Sequence, residues 1–494
     1  MNASSLTILS RRLRRGAFAI LVLALSACAL IRHDEKPLTP NASDQIRIAE
    51  DIQFSNGNWP SQQWWRTYGN AQLDALVERA LDSSPTIVIA RTRVAQAKSD
   101  IDLVRAGTNL QVTALGAVDR ERVSSNGFLG AYSTDNPAID ATGPWYTEGI
   151  VGLGASLEVD IWGKQRAEVE AAIGVQNGRR AELSAIELEM SADIAQLYFG
   201  IQTTYLSIGL LEQLRDVANF EVGAHAARSE RGIEPATETE LARAQLLATE
   251  RQLVAAHARV KKLREALRAL VGAGAGDLPE IEPVPLPLPQ ATLPPTLSYE
   301  LLARRPDLQA MRWYVQSSFD RIDAAKAAFY PSFDIKAFFG INALHLSDLF
   351  THASQQTNLV PGLYLPIFDG GRLNANLGGA RHASNALIAQ YNQAVLNAVR
   401  DIAVTGNQLQ DLDDEAKLQA QRGDAVSFAA ASAQARYERG LASRLVAMDS
   451  RDAVVLERLA LLDVDGRRLS QDIAMFKALG GGYRAVSPVE LQVR

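Results

Sequence analysis

Short segments of strictly alternating apolar and polar residues stand beside very long helical segments along this chain. Residues 151 to 161 place every apolar side chain at an odd position and every small or charged side chain at an even one. Residues 333 to 341 repeat the alternation apart from Phe338, residues 359 to 368 continue it, and residues 111 to 118 carry a weaker form. Alternation with a period of two over about ten residues predicts strands long enough to cross a bilayer when tilted. We therefore predict four β-strands.

The charged side chains of these strands share the polar face, which carries Glu158, Asp160, Asp334 and Lys336. If lipid covers the apolar face, these four side chains line a water-filled lumen. A strand in a soluble sandwich alternates in the same way, so the pattern alone leaves both environments open. The stretches at 119–149 and 342–358 contain Gly, Asn, Ser and Pro and predict loops. Four strands are too few to close a barrel, since roughly eight is the smallest number that does, so a barrel requires several copies of the chain.

Most of the remaining chain predicts helices of unusual length. Apolar residues from Ile194 to Val217 recur mostly at spacings of three and four, and no proline occurs between Pro144 and Pro235. Uninterrupted helical segments longer than about 25 residues are typical of coiled-coil packing rather than of a globular core. Such helices can form the wall of a tunnel.

The chain also contains an internal duplication. Aligning Pro85 with Pro306 aligns Arg91 with Arg312 without a gap, and a second offset aligns Gly272 with Gly480. The second offset also pairs Glu230, Arg231 and Gly232 with Glu438, Arg439 and Gly440. A tandem repeat predicts one elongated unit of two similar halves.

The predicted organisation follows from the repeat, and its segments are a signal peptide at 1–27, a lipid-anchored N-terminal segment at 28–70, a first repeat at 71–278, a Pro-rich segment at 279–297, a second repeat at 298–482 and a tail at 483–494. The Pro-rich segment cannot be helical. It is either an extended strap that crosses the outside of the helices or a flexible linker, and its composition does not distinguish the two.

The amino terminus predicts export. Four arginines precede an apolar segment from Ala17 to Leu25, which is too short to span a bilayer as a helix and is typical of a signal peptide. The sequence Leu-Ser-Ala-Cys at residues 25–28 resembles a bacterial lipobox, in which the cysteine is acylated and becomes the first mature residue. Cys28 is the only cysteine, which excludes an internal disulfide. Ala29 in place of an aspartate favours the outer membrane over the inner membrane.

Charge and motifs exclude several function classes. Removal of residues 1–27 removes four arginines and no acids, so the formal net charge moves from -6 to -10, which makes nucleic acid an unsuitable partner. The six histidines show no zinc-binding spacing, and no phosphate-binding glycine loop occurs. We therefore expect no metal, and no cofactor other than the lipid on Cys28. After the signal no apolar run of 18 residues occurs, so a membrane-spanning part must be β.

Five motifs in order resemble the outer-membrane factor lipoproteins of tripartite efflux pumps, the TolC and OprM type. They are the lipobox, Trp64-Trp65-Arg66-Thr67-Tyr68, the segment 158–164 (EVDIWGK), the segment 304–308 (RRPDL) and the segment 366–373 (PIFDGGRL). The resemblance covers nearly the whole mature chain. It implies an α+β membrane protein in which a homotrimer forms one 12-stranded outer-membrane barrel, four strands per chain, continued by a long periplasmic α-helical barrel. It also implies a periplasmic adaptor and an inner-membrane pump as partners, and no enzymatic activity.

The same resemblance assigns residues to the periplasmic end. Two helix-turn-helix joints, at Arg231-Gly232 and Arg439-Gly440, become the tips on which the adaptor docks. Asp449 falls where the family has an acid that points into the pore, and Glu238 falls where it has an acid that helps to hold the tip closed. The family's basic latch residue is replaced by Ala442, which leaves Arg439 and Arg444 as substitutes. Without the resemblance, a solvated helix face is the favoured interpretation of both Asp449 and Glu238.

Two other function classes fit part of the pattern. A periplasmic coiled-coil adaptor or structural lipoprotein would account for the long Ala-rich helices but would contain no membrane barrel. A lipid-anchored enzyme would require a catalytic constellation, and only scattered acids are present. The duplication, the lipobox and the strands together favour a passive export duct in the outer membrane of a Gram-negative bacterium.

Overall fold

The computed structural model describes residues 38–40, 59–127, 144–291 and 304–485. The predicted signal peptide and Cys28 lie outside the described residues. The described elements are a 3-10 turn at Trp64–Tyr68, α1 (Ala71–Ser83), α2 (Pro85–Thr108), β1 (Gln111–Arg122), β2 (Trp145–Val159), α3 (Lys164–Glu230), α4 (Ala236–Val271), α5 (Pro306–Ala327), β3 (Ser332–Ala343), β4 (Gln355–Tyr364), α6 (Arg372–Glu438) and α7 (Arg444–Ala478). A second 3-10 turn lies at His352–Ser354, directly before β4.

The helices occur as equivalent pairs, as the internal alignment predicts. α3 and α6 each contain 67 residues, and α4 and α7 contain 36 and 35. α2 and α5 both begin with a proline, at Pro85 and Pro306, where the missing N–H leaves no helical hydrogen bond unmade. A glycine with positive φ precedes each 67-residue helix, at Gly163 and Gly371. The repeat therefore extends to the residues that start the helices.

The shorter helices meet end to end, so that each chain contains four long columns. α4 ends at Gly272, where an added Cβ would lie 2.8 Å from Cδ of Pro85 at the start of α2. α7 ends where Arg305, just before α5, donates from Nη1 to the carbonyl oxygen of Ala478 at 3.3 Å. The columns are α2 with α4, then α3, then α5 with α7, then α6, because α3 packs on both stacked columns and α6 packs on α5 and α7.

The four strands form one antiparallel sheet in the order β1-β2-β3-β4. β1 and β4 are its edges. Each pairs with one inner neighbour, and among the described residues no strand pairs with the outer side of either. All four strands extend beyond the alternating segments into predicted loops: β1 reaches Arg122, β2 starts at Trp145, β3 reaches Ala343 and β4 starts at Gln355. The loop prediction was wrong there because backbone pairing continues past the apolar alternation, with Arg122 opposite Trp145.

An aromatic cluster holds the N-terminal segment against the middle of α3 and the C-terminal end of α7. The rings of Trp64 and Phe476 stack with centroids 5.0 Å apart, and Tyr68 meets the ring of Phe199 edge to face at 5.1 Å. Trp64 has no exposed surface and donates its indole N–H to Ser191 at 3.2 Å. The Trp-Trp-Arg-Thr-Tyr motif is thus a core element of the helical columns.

The Pro-rich segment is attached to the helices at two places. Gln202 of α3 donates to the carbonyl oxygen of Glu282 at 2.9 Å and accepts from the backbone N–H of Val284 at 2.9 Å. Asp472 of α7 accepts from the backbone N–H groups of Gln290 and Ala291 and, at 2.7 Å, from the hydroxyl of Tyr68. These contacts favour the strap over the flexible linker for residues 279–291.

Asp472 is fully buried, and burial raises its pKa in spite of three hydrogen-bonded partners. Burial and the Asp472 charge also raise the pKa of Tyr68, so the hydroxyl remains a donor at every ordinary pH. One side chain therefore ties the N-terminal segment, the strap and α7 together.

Candidate functional site

The two faces of the sheet differ in chemistry as the alternation predicts. One face presents exposed apolar side chains from all four strands, namely Val112, Val118, Val151, Leu153, Phe339, Leu359 and Leu363. On the opposite face, Glu158 stands directly across from Asp334, and Lys336 lies 3.1 Å from the carboxylate of Asp334. Lys164, at the start of α3, lies 3.8 Å from Glu158. Three of the four charged residues assigned to the lumen therefore share one face of the sheet.

The assignment of Asp160 to a strand was wrong. β2 ends at Val159, and the Asp160 carboxylate accepts from the backbone N–H groups of Gln165 at 3.3 Å and Arg166 at 2.9 Å. The first N–H groups of a helix have no intrahelical partner, and a nearby carboxylate satisfies them. The hydrogen bonds to the start of α3 therefore end the strand before Asp160.

Phe338, which breaks the alternation, fills a space left by glycines on the polar face. A Cβ placed on Gly152 or on Gly340 would lie 2.7 Å from Cζ of Phe338. The ring lies over the backbone of both residues, which only glycine permits. The exception in the pattern thus has a packing cause.

Both helix-turn-helix joints have the same backbone. Gly232 and Gly440 adopt φ values of 67° and 74°, a conformation that other residues rarely adopt. The next residue, Ile233 or Leu441, donates its N–H to a carbonyl oxygen of the last helical turn at 2.9 Å or 2.8 Å and leaves its side chain mostly exposed. Each tip therefore ends in a tight turn that presents an apolar side chain.

The first tip is braced by a network that the motifs did not reveal. Glu234, in the turn, lies 2.8 Å from Nδ1 of His225 and 2.7 Å from Nε of Arg228, both on the last turns of α3. Two groups from the end of α3 thus converge on one half-buried carboxylate of the turn.

Asp449 lies on the second turn of α7 and faces α3 of the same chain. Glu221 of α3 lies close enough to Asp449 for one carboxyl group, when protonated, to donate to the other, and Asp452 lies near both. Burial, with the hydrogen bond and charge of Asp449, raises the pKa of Glu221 to about 7. Burial and the charge of Asp449 also raise the pKa of Asp452. Glu221 and Asp452 were missed because no local spacing joins positions on two different helices.

The other residues assigned to the tip have different surroundings. Glu238 is exposed in the first turn of α4 and makes no ion pair with a described residue. The guanidinium of Arg444 lies 4.3 Å from the centre of the Phe220 ring, which links α7 to α3. Arg439 is exposed beside Gly440. Of the two proposed latch substitutes, Arg444 makes the interhelical contact.

Acidic residues near position 413 serve the pairing of α6 with α7. Arg468 lies 2.5 Å from Asp413, and Arg467 lies 2.6 Å from Glu415. Across residues 38–40, 59–127, 144–291 and 304–485, no group of three or more His, Cys, Asp or Glu is arranged to hold a metal ion. Within the same residues no helix is both long and apolar enough to span a membrane.

Comparison with known proteins identifies the family. The model of the outer membrane efflux protein family matches residues 76–273 and 297–481. The chain belongs to the outer membrane efflux protein family.

Relatives of this efflux protein, and solved structures of similar proteins, agree with the family match. It is 52% identical over 466 residues to the multidrug resistance outer membrane protein MdtP of Escherichia coli strain K12, covering 94% of this chain and 96% of that protein. It is 38% identical to MdtQ of Escherichia coli O157:H7 over 467 residues, covering 94% and 97%. The crystal structure of the outer membrane protein VceC from Vibrio cholerae is similar with a TM-score of 0.75 and 29% identity, covering 86% of this chain and all of that one.

The fold is shared more widely than the sequence. The outer membrane channel CmeC of Campylobacter jejuni is only 18% identical, yet its TM-score is 0.79 over 92% of this chain. The efflux protein is thus one subunit of a trimeric outer-membrane channel with a periplasmic helical extension. Trimer formation solves the closure problem, because three sheets with open edges at β1 and β4 join into one barrel. The alternative of a coiled-coil adaptor without a barrel does not account for this sheet.

Proposed function

We propose that the channel is the passive exit duct of a tripartite efflux assembly, in which an adaptor docks on its tips and an inner-membrane pump supplies the energy. The observation that carries the proposal is the pair of equivalent tips. Ile233 and Leu441 are 61% and 69% exposed at the far end of the helices from the sheet. Paired apolar side chains beside glycine turns suit docking of another helical protein. The multidrug names of the relatives suggest drugs or other small molecules as cargo.

The docking residues of this proposal are Arg231 and Gly232 on the first tip and Arg439 and Gly440 on the second. The two glycines fix the turn, and the two exposed arginines beside them offer charge to a partner. Because the two turns have the same backbone, a trimer presents six similar sites. An adaptor with one repeated helical hairpin could occupy all six.

The proposed mouth is acidic. Three copies of Asp449 around the axis would repel one another by roughly 1 to 4 kcal/mol per pair if held about 4 Å apart. A ring of this kind favours cations and resists complete closure. Glu238, exposed in the first turn of α4, would add negative charge to the same end.

The proposed lipid on Cys28 fits the path of the chain along α6. The Leu38 N–H donates to Asn385 at 3.1 Å, and Asn392 donates to the carbonyl oxygen of Thr39 at 3.3 Å. Of these two residues, Leu38 therefore lies nearer to the end of α6 that adjoins β4. Asn385 lies about 20 Å from that end, and the ten residues from Cys28 to Leu38 can span up to about 35 Å, so the lipid can reach the membrane that holds the sheet.

The test of the duct is export in the native host with the gene deleted or restored, measured as efflux of a fluorescent dye. Restored efflux supports the proposal, and unchanged efflux after deletion contradicts it. For the mouth, single-channel conductance of the purified protein is compared with that of Asp449→Ala. Loss of cation preference is expected. A Cys28→Ser variant should lose the lipid in a mass spectrum of the N-terminal peptide.

A further inference from the structure

The charged side chains at the end of the sheet that lies far from the helices are sorted by sign between its two faces. This end is extracellular, because β1 leaves α2 and β2 returns to α3 at the other end. In the register of β1 with β2, Asp119 lies opposite Glu148 on the polar face, which Glu121 shares. Arg120 and Arg122 occupy the alternate positions, on the apolar face. That face contacts lipid in a barrel, so two arginines point outward at its extracellular boundary.

A ring contact confirms this orientation. The guanidinium of Arg120 lies 5.7 Å from the centre of the Trp145 ring, and in the register these residues are diagonal neighbours on one face. Arg120 and Arg122 are exposed, and neither makes an ion pair or a hydrogen bond with a described residue. Closure of the trimeric barrel pairs the backbone edge of β1 and leaves outward side chains uncovered. The guanidinium donors are therefore available to a ligand.

The connection between β3 and β4 folds onto the same outward face. A Cβ on Gly149 would lie 2.7 Å from Cδ2 of Leu346 and 3.3 Å from Cδ2 of Leu349. Gly149 lies opposite Val118, so the direction in which that Cβ points is outward. Leu349 is buried, whereas Leu346 and Phe350 are 47% and 83% exposed. The connection thus adds an apolar surface to the outside of the sheet at the same end as the arginines.

Hydrogen bonds within this connection hold its shape. The carbonyl oxygen of Asp348 accepts from the backbone N–H of Thr351 at 2.9 Å and from its hydroxyl at 2.7 Å. It also accepts from the hydroxyl of Ser354 at 2.7 Å. Three donors on one carbonyl oxygen fix the turn that follows Leu346, so the apolar surface is a built feature of the sheet's outer end.

The two arginines lie at the height of lipid headgroups. Ten residues separate Val112 from Arg122, which is about 33 Å along the strand and about 25 Å along the membrane normal for a strand tilted by about 40°. The apolar band of outer-membrane barrels has about this height. Arginine side chains also extend their charge toward the headgroup region and leave their methylene groups in the apolar region.

Phosphate is the headgroup chemistry that this arrangement suits. A guanidinium binds phosphate oxygens through two parallel N–H donors, and Arg120 and Arg122 are adjacent on one face, with Cα atoms about 7 Å apart. The outer leaflet of a Gram-negative outer membrane consists mainly of lipopolysaccharide, whose lipid A carries phosphates above several acyl chains. A free phosphate would use the arginines alone, whereas lipid A would also use the exposed Leu346 and Phe350.

We propose that the outward surface formed by Arg120, Arg122, Trp145, Leu346 and Phe350 binds lipopolysaccharide, one site per chain of the trimer. The arginines contact the phosphates of lipid A, and the two apolar side chains contact its acyl chains. The bound lipid fixes the depth of the barrel in the outer leaflet. This role goes beyond the duct function, because lipid binding requires no export.

Native mass spectrometry of the purified, acylated trimer in detergent tests the site, with bisphosphorylated lipid A as the probe. Arg120→Gln with Arg122→Gln should weaken lipid A binding at least about tenfold. Arg251→Gln with Arg259→Gln is the matched control, because it removes the same charge from exposed positions of α4 and should change binding by less than about twofold. Equal binding of lipid A by wild type and by the Arg120/Arg122 variant would overturn the proposal.

A second pair of substitutions keeps the test decisive if the glutamine variant does not form a trimer. Arg120→Lys with Arg122→Lys retains the charge but loses the paired donors of guanidinium, so lipid A should bind about three- to tenfold more weakly than to wild type. Phe350→Ser should weaken binding at least about threefold, because it removes apolar contact with the acyl chains. Unchanged binding by both variants would overturn the proposal.

Other ligands distinguish the sources of phosphate. Lipid A without its phosphates should bind wild type at least about tenfold more weakly than bisphosphorylated lipid A. Displacement of lipid A by inorganic phosphate at millimolar concentration would overturn the proposal in favour of a free-anion site. Equally tight binding of phosphatidylglycerol would overturn it in favour of a general surface for anionic lipids. Unchanged efflux after deletion of the gene contradicts only the duct proposal, because none of these measurements requires transport.

Discussion

The two tips of the chain have the same backbone and different side chains. Gly232 and Gly440 share a left-handed conformation, and the residue after each donates to the preceding helical turn. In the first tip, Glu234 joins His225 and Arg228. A shift of 208 residues places alanines opposite two members of this network, since His225 corresponds to Ala433 and Glu234 to Ala442, and only Arg436 retains the charge of Arg228.

The difference shows what a duplication preserves. Residues that set the backbone, such as a glycine at positive φ, are costly to replace and stay the same in both copies. Side chains that do not determine the backbone conformation of the turn can differ between the two copies. The braced first tip and the unbraced second tip are therefore expected to differ in local stability, and amide hydrogen exchange measures that difference directly.

The largest expected effect comes from Glu234→Ala, which removes the carboxylate that lies against both His225 and Arg228. The loss of the ion pair with Arg228 and of the contact with His225 costs about 2 kcal/mol, or roughly 30-fold faster exchange in the first tip. Glu230→Ala is the control, because Glu230 is exposed on the same helix and should change exchange by less than about twofold. If Glu234→Ala and Glu230→Ala increased exchange equally, the contacts of Glu234 would not be what stabilises the first tip.

The next effect concerns pH. The pKa of Glu221 is raised to about 7 from its ordinary 4.5, so the α3–α7 contact is fully favoured below about 4.5 and is lost as the pH rises through about 7. Allowing for partial exposure, conductance of the mouth should rise about tenfold between pH 5 and pH 8. Glu221→Gln should abolish most of this rise in planar bilayers. A pH profile unchanged by the substitution would show that another group titrates.

A smaller effect tests the shared backbone. Gly232→Ala and Gly440→Ala each place a Cβ at positive φ, at a cost of about 1 kcal/mol. Nothing lies within 4 Å of either added Cβ, so strain is the only cost and the two tips should lose equal protection. Gly209→Ala, in the interior of α3 with the same free space, is the matched control and should not destabilise. Unequal losses at the two tips would indicate that their backbones differ in solution.

The smallest expected effect is that of Arg444→Gln. It removes the cation–π contact with Phe220, which is worth about 0.5 to 1 kcal/mol at an accessible site. Exchange at the start of α7 should increase by about two- to fivefold, with little change in the first tip. Arg439→Gln is the control, since Arg439 has no interhelical contact among the described residues.

Much of the fold was predictable from particular residues. The alternation around Leu153 and Phe339 predicted two strands, and the two residues lie in β2 and β3. The alignment of Pro85 with Pro306 predicted helices that begin at equivalent positions, as α2 and α5 do. Side-chain periodicity is a local signal, and the internal repeat is a second copy of such a signal. Local signals can be recognised in a single sequence.

The candidate site was only partly predictable. Asp449 was found through the family resemblance, but its neighbour Glu221 was not, because the two are far apart in sequence and meet only through helix packing. The Asp160 prediction was wrong because a helix N-terminus competed for its carboxylate. The role of Asp472 in holding the strap had no sequence signal, since a single aspartate in a long helix resembles a solvated residue.

By itself the sequence determined the periodic elements, the duplication and the two glycine turns, because side-chain period and backbone strain act within a few residues. Only the tertiary structure decided which helices are neighbours, which acids face each other and which apolar faces stay bare. Those features depend on contacts between residues hundreds of positions apart, whose register is set by the packing of whole helices. Leu247 of α4 is 55% exposed, whereas Val455, its counterpart on α7 after a shift of 208 residues, is buried, which shows this most directly.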